Sequence, residues 1–149
     1  MTGLSVRIVD DMEDDVPDSN PGAMFAAATA AIMNDDVDGW LAQCRDDVVL
    51  EFPYAPTGRP RRVEGKSAAE DYLKAVPGQV QFERITRQHV HQTVDPDTAI
   101  IEWSVSGHIK ATGAPYEMSY VVVLTLVGGL IAVYRDYWNP LTLLDASLS

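Results

Sequence analysis

Four long strand-like segments follow one another in the second half of the chain, and no other feature limits the fold so strongly. They read "QVQFERITRQHVHQTV" (79–94), "TAIIEWSVSGHIKA" (98–111), "YEMSYVVVLTLV" (116–127) and "LIAVYRDYW" (130–138). Short "DPD", "TGAP" and "GG" turns separate them, which is how neighbouring antiparallel strands are joined. The first half reads differently. "GAMFAAATAAIMN" is Ala-rich with few breakers and can be capped by Ser19 or Asn20. "DDVDGWLAQCR" predicts a second, short helix begun by Asp35 or Asp36, and "KSAAEDYLKAV" a third that "PG" ends. Between them "DVVLEFPY" has strand character until Pro53, and "APTGRPRRVEG" is a Pro/Gly-rich loop. Helices first and hairpin-linked strands after is an α+β pattern.

Charge narrows the range of partners. The formal net charge is −11, and residues 1–20 hold six acids against one Arg. With no basic stripe to neutralise phosphates, nucleic acid is excluded as a partner. Residues 1–19 read as an acidic, disordered arm. No apolar run approaches the ~20 residues of a membrane span, and the N-terminal stretch lacks the pattern of a signal peptide. A single cysteine, Cys44, excludes an internal disulfide and suits a reducing, cytoplasmic setting. Cys44 is expected on a buried helix face. No Gly-rich phosphate loop, GxSxG elbow, CxxC or HExxH occurs, so no cofactor or metal is implied.

Strand parity then singles out one acid. On "LIAVYRDYW" the side chains of Tyr134, Asp136 and Trp138 share a face, and Arg135 and Tyr137 share the other. A carboxyl among aromatics loses hydration when ionised, which raises its pKa and fits it to give or take a proton near neutrality. On "YVVVLTLV" both faces are apolar: Met118, Tyr120 and Val122 can meet the core, while Val121 and Val123 need cover. Another helix or a second subunit would supply that cover, and a homodimer through the outer sheet face is expected. On "QVQFERITRQHVHQTV" the apolar parity changes between Phe82 and Ile85 and again before Val90, which predicts a bulge. His89 and His91 are expected at the surface or rim.

The order helix, helix, "VVLEFPYAPTGRPRRVEGKSAAEDYL", four long strands and "YRDYWNPL" resembles the nuclear-transport-factor-2-like, or SnoaL-like, superfamily over about residues 22–145. The resemblance implies a cone-shaped barrel, three N-terminal helices packed on a curved antiparallel sheet around an apolar pocket, with 20–149 as a single SnoaL-like domain. Ketosteroid isomerases of this superfamily use a Tyr on the first helix, an Asp before the first-strand Pro and a protonated Asp on the penultimate strand. The matching positions here are Ala28, Phe52 and Val122, so that apparatus is missing. Limonene-1,2-epoxide hydrolases end in a similar motif whose first Asp corresponds to Asp136. Their other catalytic positions fall on Leu50 and Phe52 and near Trp103 and Val105. Phenazine-biosynthesis proteins carry a Glu where Asp136 stands, followed by an aromatic and "NP".

These readings converge on an apolar or aromatic small molecule handled by acid–base chemistry. Asp136 is the principal acid or base, with His108 the candidate second catalytic group. Tyr120 is a further polar candidate. Trp103, Tyr120, Tyr134, Trp138, Phe52 and Met118 form the expected wall, with Tyr54 at the mouth. Arg59, Arg61 and Arg62 of "GRPRR" read as a solvated loop that could also meet a carboxylate or a carrier-bound substrate. The function implied is a cofactor-independent isomerase, cyclase or dehydratase of secondary metabolism. A non-catalytic ligand-binding module and an epoxide hydrolase, with Glu102 or Asn139 holding water, are the alternatives.

Overall fold

The computed structural model describes residues 20–142; the acidic arm of residues 1–19 lies outside them. The helix α1 (Pro21–Met33) starts where Asn20 accepts a hydrogen bond from the Ala23 amide at 3.0 Å, with Pro21 in the first turn. That proline lacks only an amide hydrogen that a helix start leaves unpaired anyway. The helix α2 (Val37–Leu41) is capped by Asp36, which accepts from the Gly39 amide at 2.9 Å. It is shorter than the sequence suggests. The chain turns at Ala42 and begins β1 (Cys44–Glu51), so Cys44 is a buried strand residue and not a helical one. Burial pushes its thiol up to about 12, which removes it as a nucleophile at neutral pH.

A loop and the short β2 (Arg62–Glu64) lead into α3 (Lys66–Ala75) and a 3-10 turn at Pro77–Gln79. Then come β3 (Val80–Gln92), β4 (Thr98–Ile109), β5 (Pro115–Val127) and β6 (Leu130–Trp138). All six strands form one curved sheet that does not close, in the order β2-β1-β6-β5-β4-β3. It departs from the expected antiparallel sheet at one seam: β1 runs parallel to β6, with Leu50 beside Tyr134. Parallel neighbours require a long crossover, and the whole chain between β1 and β6 provides it.

Three local features set the curvature. Gly128 and Gly129 both have positive φ, 62° and 82°, as a tight two-residue hairpin turn demands. On β3 the pairing with β4 slips at Phe82/Arg84 and again at Ile85/Arg87, the irregularity that the changing parity predicts. Opposite the first slip, β3 presses so close to Gly107 that a Cβ there would run into the Gln81 carbonyl. Only glycine fits that crossing.

The helices cover the concave face. α1 packs across β3, β4 and β5, and α3 across β1 and β2. Phe25, Leu50, Ile101, Leu124 and Ile131 are fully buried, and each such side chain contributes about 1.5–3 kcal/mol by leaving water. Burial alternates on β4 from Thr98 to Ser106 and on β5 apart from half-exposed Tyr120, with Ile101, Trp103 and Val105 inward and Met118, Val122 and Leu124 facing the same way. No helix among the described residues is long and apolar enough to cross a membrane.

Candidate functional site

The concave face is built of side-chain rows that cross the strands. Trp103, Tyr120 and Trp138 are register neighbours on β4, β5 and β6. The next row is Ile101, Val122 and Asp136, and the next Ala99, Leu124 and Tyr134. Asp136 therefore stands between an aromatic row and a second row ending in Tyr134. A bulge puts it there. Thr125 pairs with Val133 but Leu126 with Ile131, so Ala132 is one residue too many on β6. Inward-facing Ile131 is consequently followed by inward-facing Tyr134, Asp136 and Trp138. If the strand accommodated Ala132 by unbroken alternation instead of a bulge, Asp136 would turn to the outer face.

Above these rows lies a cavity with about 900 Å³ free of protein atoms, counted out to its open mouth. Its floor and walls are Leu50, Phe52, Phe82, Met118 and, from those rows, Trp103, Tyr120, Trp138, Asp136 and Tyr134; Trp40 and Tyr72 close one side. Tyr72 stacks on Phe52 with centroids 4.6 Å apart, and Trp103 stacks on Tyr120 at 4.8 Å. Trp40 meets Tyr134 edge-on at 5.2 Å. The mouth is where the lining side chains become half-exposed or exposed: Ile32, Arg59, Val76, Pro77 and Gln79.

Asp136 is 7% exposed, and its Oδ1 has no hydrogen-bond partner among the described residues. Loss of hydration on burial pushes its carboxyl up to about 8, so it is mostly protonated at neutral pH yet close to ionising. Its charge, once formed, opposes ionisation of Tyr72, Tyr116, Tyr120 and Tyr134, all of which are raised chiefly by their own burial. Their hydroxyls therefore stay protonated and can donate. Tyr116 and Tyr120 hydroxyls are 3.0 Å apart. The Trp103 Nε1–H is also buried and unpartnered among these residues. Buried polar groups are ordinarily satisfied, so a carboxyl and an indole N–H left open on one cavity suit a polar ligand.

The structure gathers most of the residues singled out from sequence. Asp136, Trp103, Tyr120, Tyr134, Trp138, Phe52 and Met118 all line the cavity. His108 does not join them. It is half-exposed, points away from the buried face of β4, and its Nδ1 lies 2.8 Å from Glu83. Tyr54 is also outside: it is 60% exposed and meets Tyr137 edge-on at 5.3 Å over the outer face. The His89 and His91 rings lie 4.3 Å apart, tilted by 44°, and Glu102 accepts from Arg87 and pairs with His91, each at 2.9 Å. Glu102 and Asn139 lie along an outer groove, so neither stands ready to hold a water at Asp136. Among the described residues no three His, Cys, Asp or Glu cluster as a metal site would need.

Tyr72 and Tyr116 are two of the lining residues that the sequence does not single out. Tyr116 was within reach of parity, two residues before Met118 and four before Tyr120. Tyr72 lies three positions after buried Ala69 on α3, a helical stripe too short to stand out beside polar neighbours.

Comparison with known proteins agrees with this architecture. The model of the SnoaL-like domain family matches residues 25–134. The uncharacterized protein YesE of Bacillus subtilis is 41% identical over 117 residues, covering 78% of this chain and 80% of the relative. An uncharacterized PhzA/B-like protein of Pseudomonas aeruginosa is 37% identical over 113 residues, covering 76% and 79%. A crystal structure from Bacillus subtilis, provisionally described as an isomerase, superposes with a TM-score of 0.80 at 38% identity, covering 85% of this chain and 91% of its own. More distant structures share the fold alone. They include a Mycobacterium ketosteroid isomerase at 23% identity and TM-score 0.70, and a protein provisionally described as a polyketide cyclase from Pseudomonas putida at 20% and 0.72.

Proposed function

The chain belongs to the SnoaL-like domain family, and on that footing we propose that it is a cofactor-independent isomerase or cyclase of small-molecule secondary metabolism. The fold and its neighbours support an isomerase- or cyclase-type family. The observation that carries the catalytic reading is Asp136: a buried carboxyl, open on one oxygen, whose pKa of about 8 lies near neutrality. A general acid or base works best with a pKa close to the working pH.

In this reading a flat, apolar substrate lies against the aromatic rows, which orient it by stacking with few polar contacts. The protonated Asp136 carboxyl donates to a keto or enol oxygen and polarises it, or in its ionised form takes a proton from the adjacent carbon. The Tyr116–Tyr120 pair supplies a second donor for the oxygen that gains charge, where a preformed donor outperforms water. Proton loss at one carbon and return at another moves a double bond or prepares a ring closure. Asp136 also faces Val122 across β5 and β6. The acid here thus stands one strand over from the position matched to the ketosteroid-isomerase acid.

The test is hydrogen–deuterium exchange at the α-carbon of a bicyclic ketone such as 2-tetralone, followed by NMR in D₂O. The protein is expected to accelerate exchange, and Asp136→Asn to lower that acceleration by at least about 10²-fold. An Asn variant that exchanges as fast as the parent sinks the acid–base reading. A second reading, a ligand carrier, has one observation in its favour: Asp136 is the sole carboxyl lining the cavity among the described residues, and no His accompanies it. Tight binding with no exchange would select it.

We also read the outer sheet face as the interface of a homodimer. Val121 is 39% exposed and Val123 half-buried there, and light scattering that returns a monomer mass would reject the assembly.

A further inference from the structure

The three arginines of "GRPRR", two on the loop before β2 and one at the start of that strand, have separate fates. The Arg62 guanidinium is paired with Glu51 and Glu64, at 2.7 and 2.5 Å. Arg61 Nε donates to the Ala55 carbonyl at 3.3 Å. Arg59 alone reaches the cavity, and among the described residues it is the one Lys, Arg or His in the lining. Its position is fixed from below: its amide donates to the Pro56 carbonyl at 3.1 Å, and Gly58 before it takes a φ of 93°.

The cavity is therefore polar at two separate places. Asp136 is deep and enclosed, whereas Arg59 is half-exposed at the mouth. Tyr72 and Tyr116 are near enough to both that the two charges act on each hydroxyl in opposite senses. Arg59 has no such effect on Asp136, whose shift comes from burial. The remaining wall is aromatic and aliphatic. A guanidinium over an aromatic cleft is suited to a planar carboxylate, which it can grip with two parallel hydrogen bonds.

We propose that the ligand of this cavity is a flat carbocyclic or polyketide-like acid whose carboxylate is held by Arg59 at the mouth while a keto or enol oxygen at its far end meets Asp136. The inference rests on the cavity being the ligand site, as above, and adds the charge and polarity of the ligand. It also runs against the overall field. A chain with a formal charge of −11 repels anions in general, so a preference for an acid must come from a local cation.

Calorimetry with three matched probes tests it: 6-hydroxy-2-naphthoate, its carboxamide, and 2-naphthol. The carboxylate is expected to bind the parent protein at least about tenfold more tightly than the amide, a difference of ~1.4 kcal/mol. Arg59→Ala should reduce that ratio to near one and leave 2-naphthol affinity unchanged, and Arg59→Lys should keep part of the preference. Equal affinity of carboxylate and amide for the parent protein overturns the inference without any variant. So does a preference that survives Arg59→Ala. If none of the three probes binds, the cavity itself is not the ligand site and both readings fall. If all bind equally, only the acid specificity fails, and the exchange test on Asp136 stands apart.

Discussion

Asp136 and Glu102 stand on opposite faces of one sheet, and their surroundings drive them in opposite directions. Glu102 on the outer face accepts from Arg87 and pairs with His91, and these partners hold its carboxyl below the usual range. Asp136 on the concave face has no cation beside it among the described residues, and burial raises it. The difference teaches that the sheet sorts its acids by face. An outward acid is solvated and matched by neighbours on β3, so its charge costs little. An inward acid pays desolvation with nothing to offset it, which is tolerated where the acid serves a purpose other than stability.

The largest effect expected from this contrast is a pH dependence that belongs to Asp136. The unfolded chain releases this proton near the ordinary aspartate value of about 3.9, whereas the folded chain retains it to about 8. Between those values the folded state binds more protons. Stability therefore falls as pH rises through that window, by about 1.4 kcal/mol per unit from this group alone. Below the window and above it the contribution is flat. Asp136→Asn removes the slope, so urea unfolding of the two proteins should diverge from acid to mildly basic pH in favour of the variant. Parallel curves would mean that the carboxyl ionises freely and that the two faces do not differ.

Packing sharpens the same comparison on a smaller scale. Phe25 is fully buried beneath α1 and meets Trp103 edge-on at 5.5 Å. Phe25→Ala should cost about 3–5 kcal/mol in urea unfolding. Val121→Ala, on the outer face of the same sheet, should stay within about 0.5 kcal/mol for an isolated chain. A larger loss that grows with protein concentration would instead show that a second copy covers that face.

Much of this contrast can be read directly from the chain, and the parts that cannot share a cause. Alternation along β5 and β6 places Met118, Tyr120 and Val122 on one face and Tyr134, Asp136 and Trp138 on another single face, because local sterics fix strand parity. Whether those two faces coincide depends on register, and register depends on the Ala132 bulge and the glycine turn before it. The parallel seam between β1 and β6 is likewise a long-range choice with no local signature. Leu50 and Phe52 reach the cavity only because that seam brings β1 beside Tyr134. Arg59 illustrates the limit: "GRPRR" offers three equivalent cations, and only the folded chain sends Arg62 to Glu51 and Glu64, Arg61 to the Ala55 carbonyl and Arg59 to the cavity.

His108 provides the smallest expected effect and the most direct way to break the division between faces. Sequence nominates it as the acid–base partner of Asp136. Parity assigns it otherwise: Trp103 and Val105 face inward on β4, the pairing of β4 with β5 continues without a slip to His108, and an even-numbered position there faces out. The ring then finds Glu83 across the strand pair, at 2.8 Å, while Gly107 lets β3 press against β4 beside it. A group so placed has no path to a substrate proton in the cavity. His108→Gln should leave both α-carbon exchange and probe affinity within about twofold of the parent, the scale of an ordinary surface change. A loss as large as that of Asp136→Asn would mean that the outer face takes part in the chemistry, and that the division between solvated and enclosed acids is not the one that governs this site.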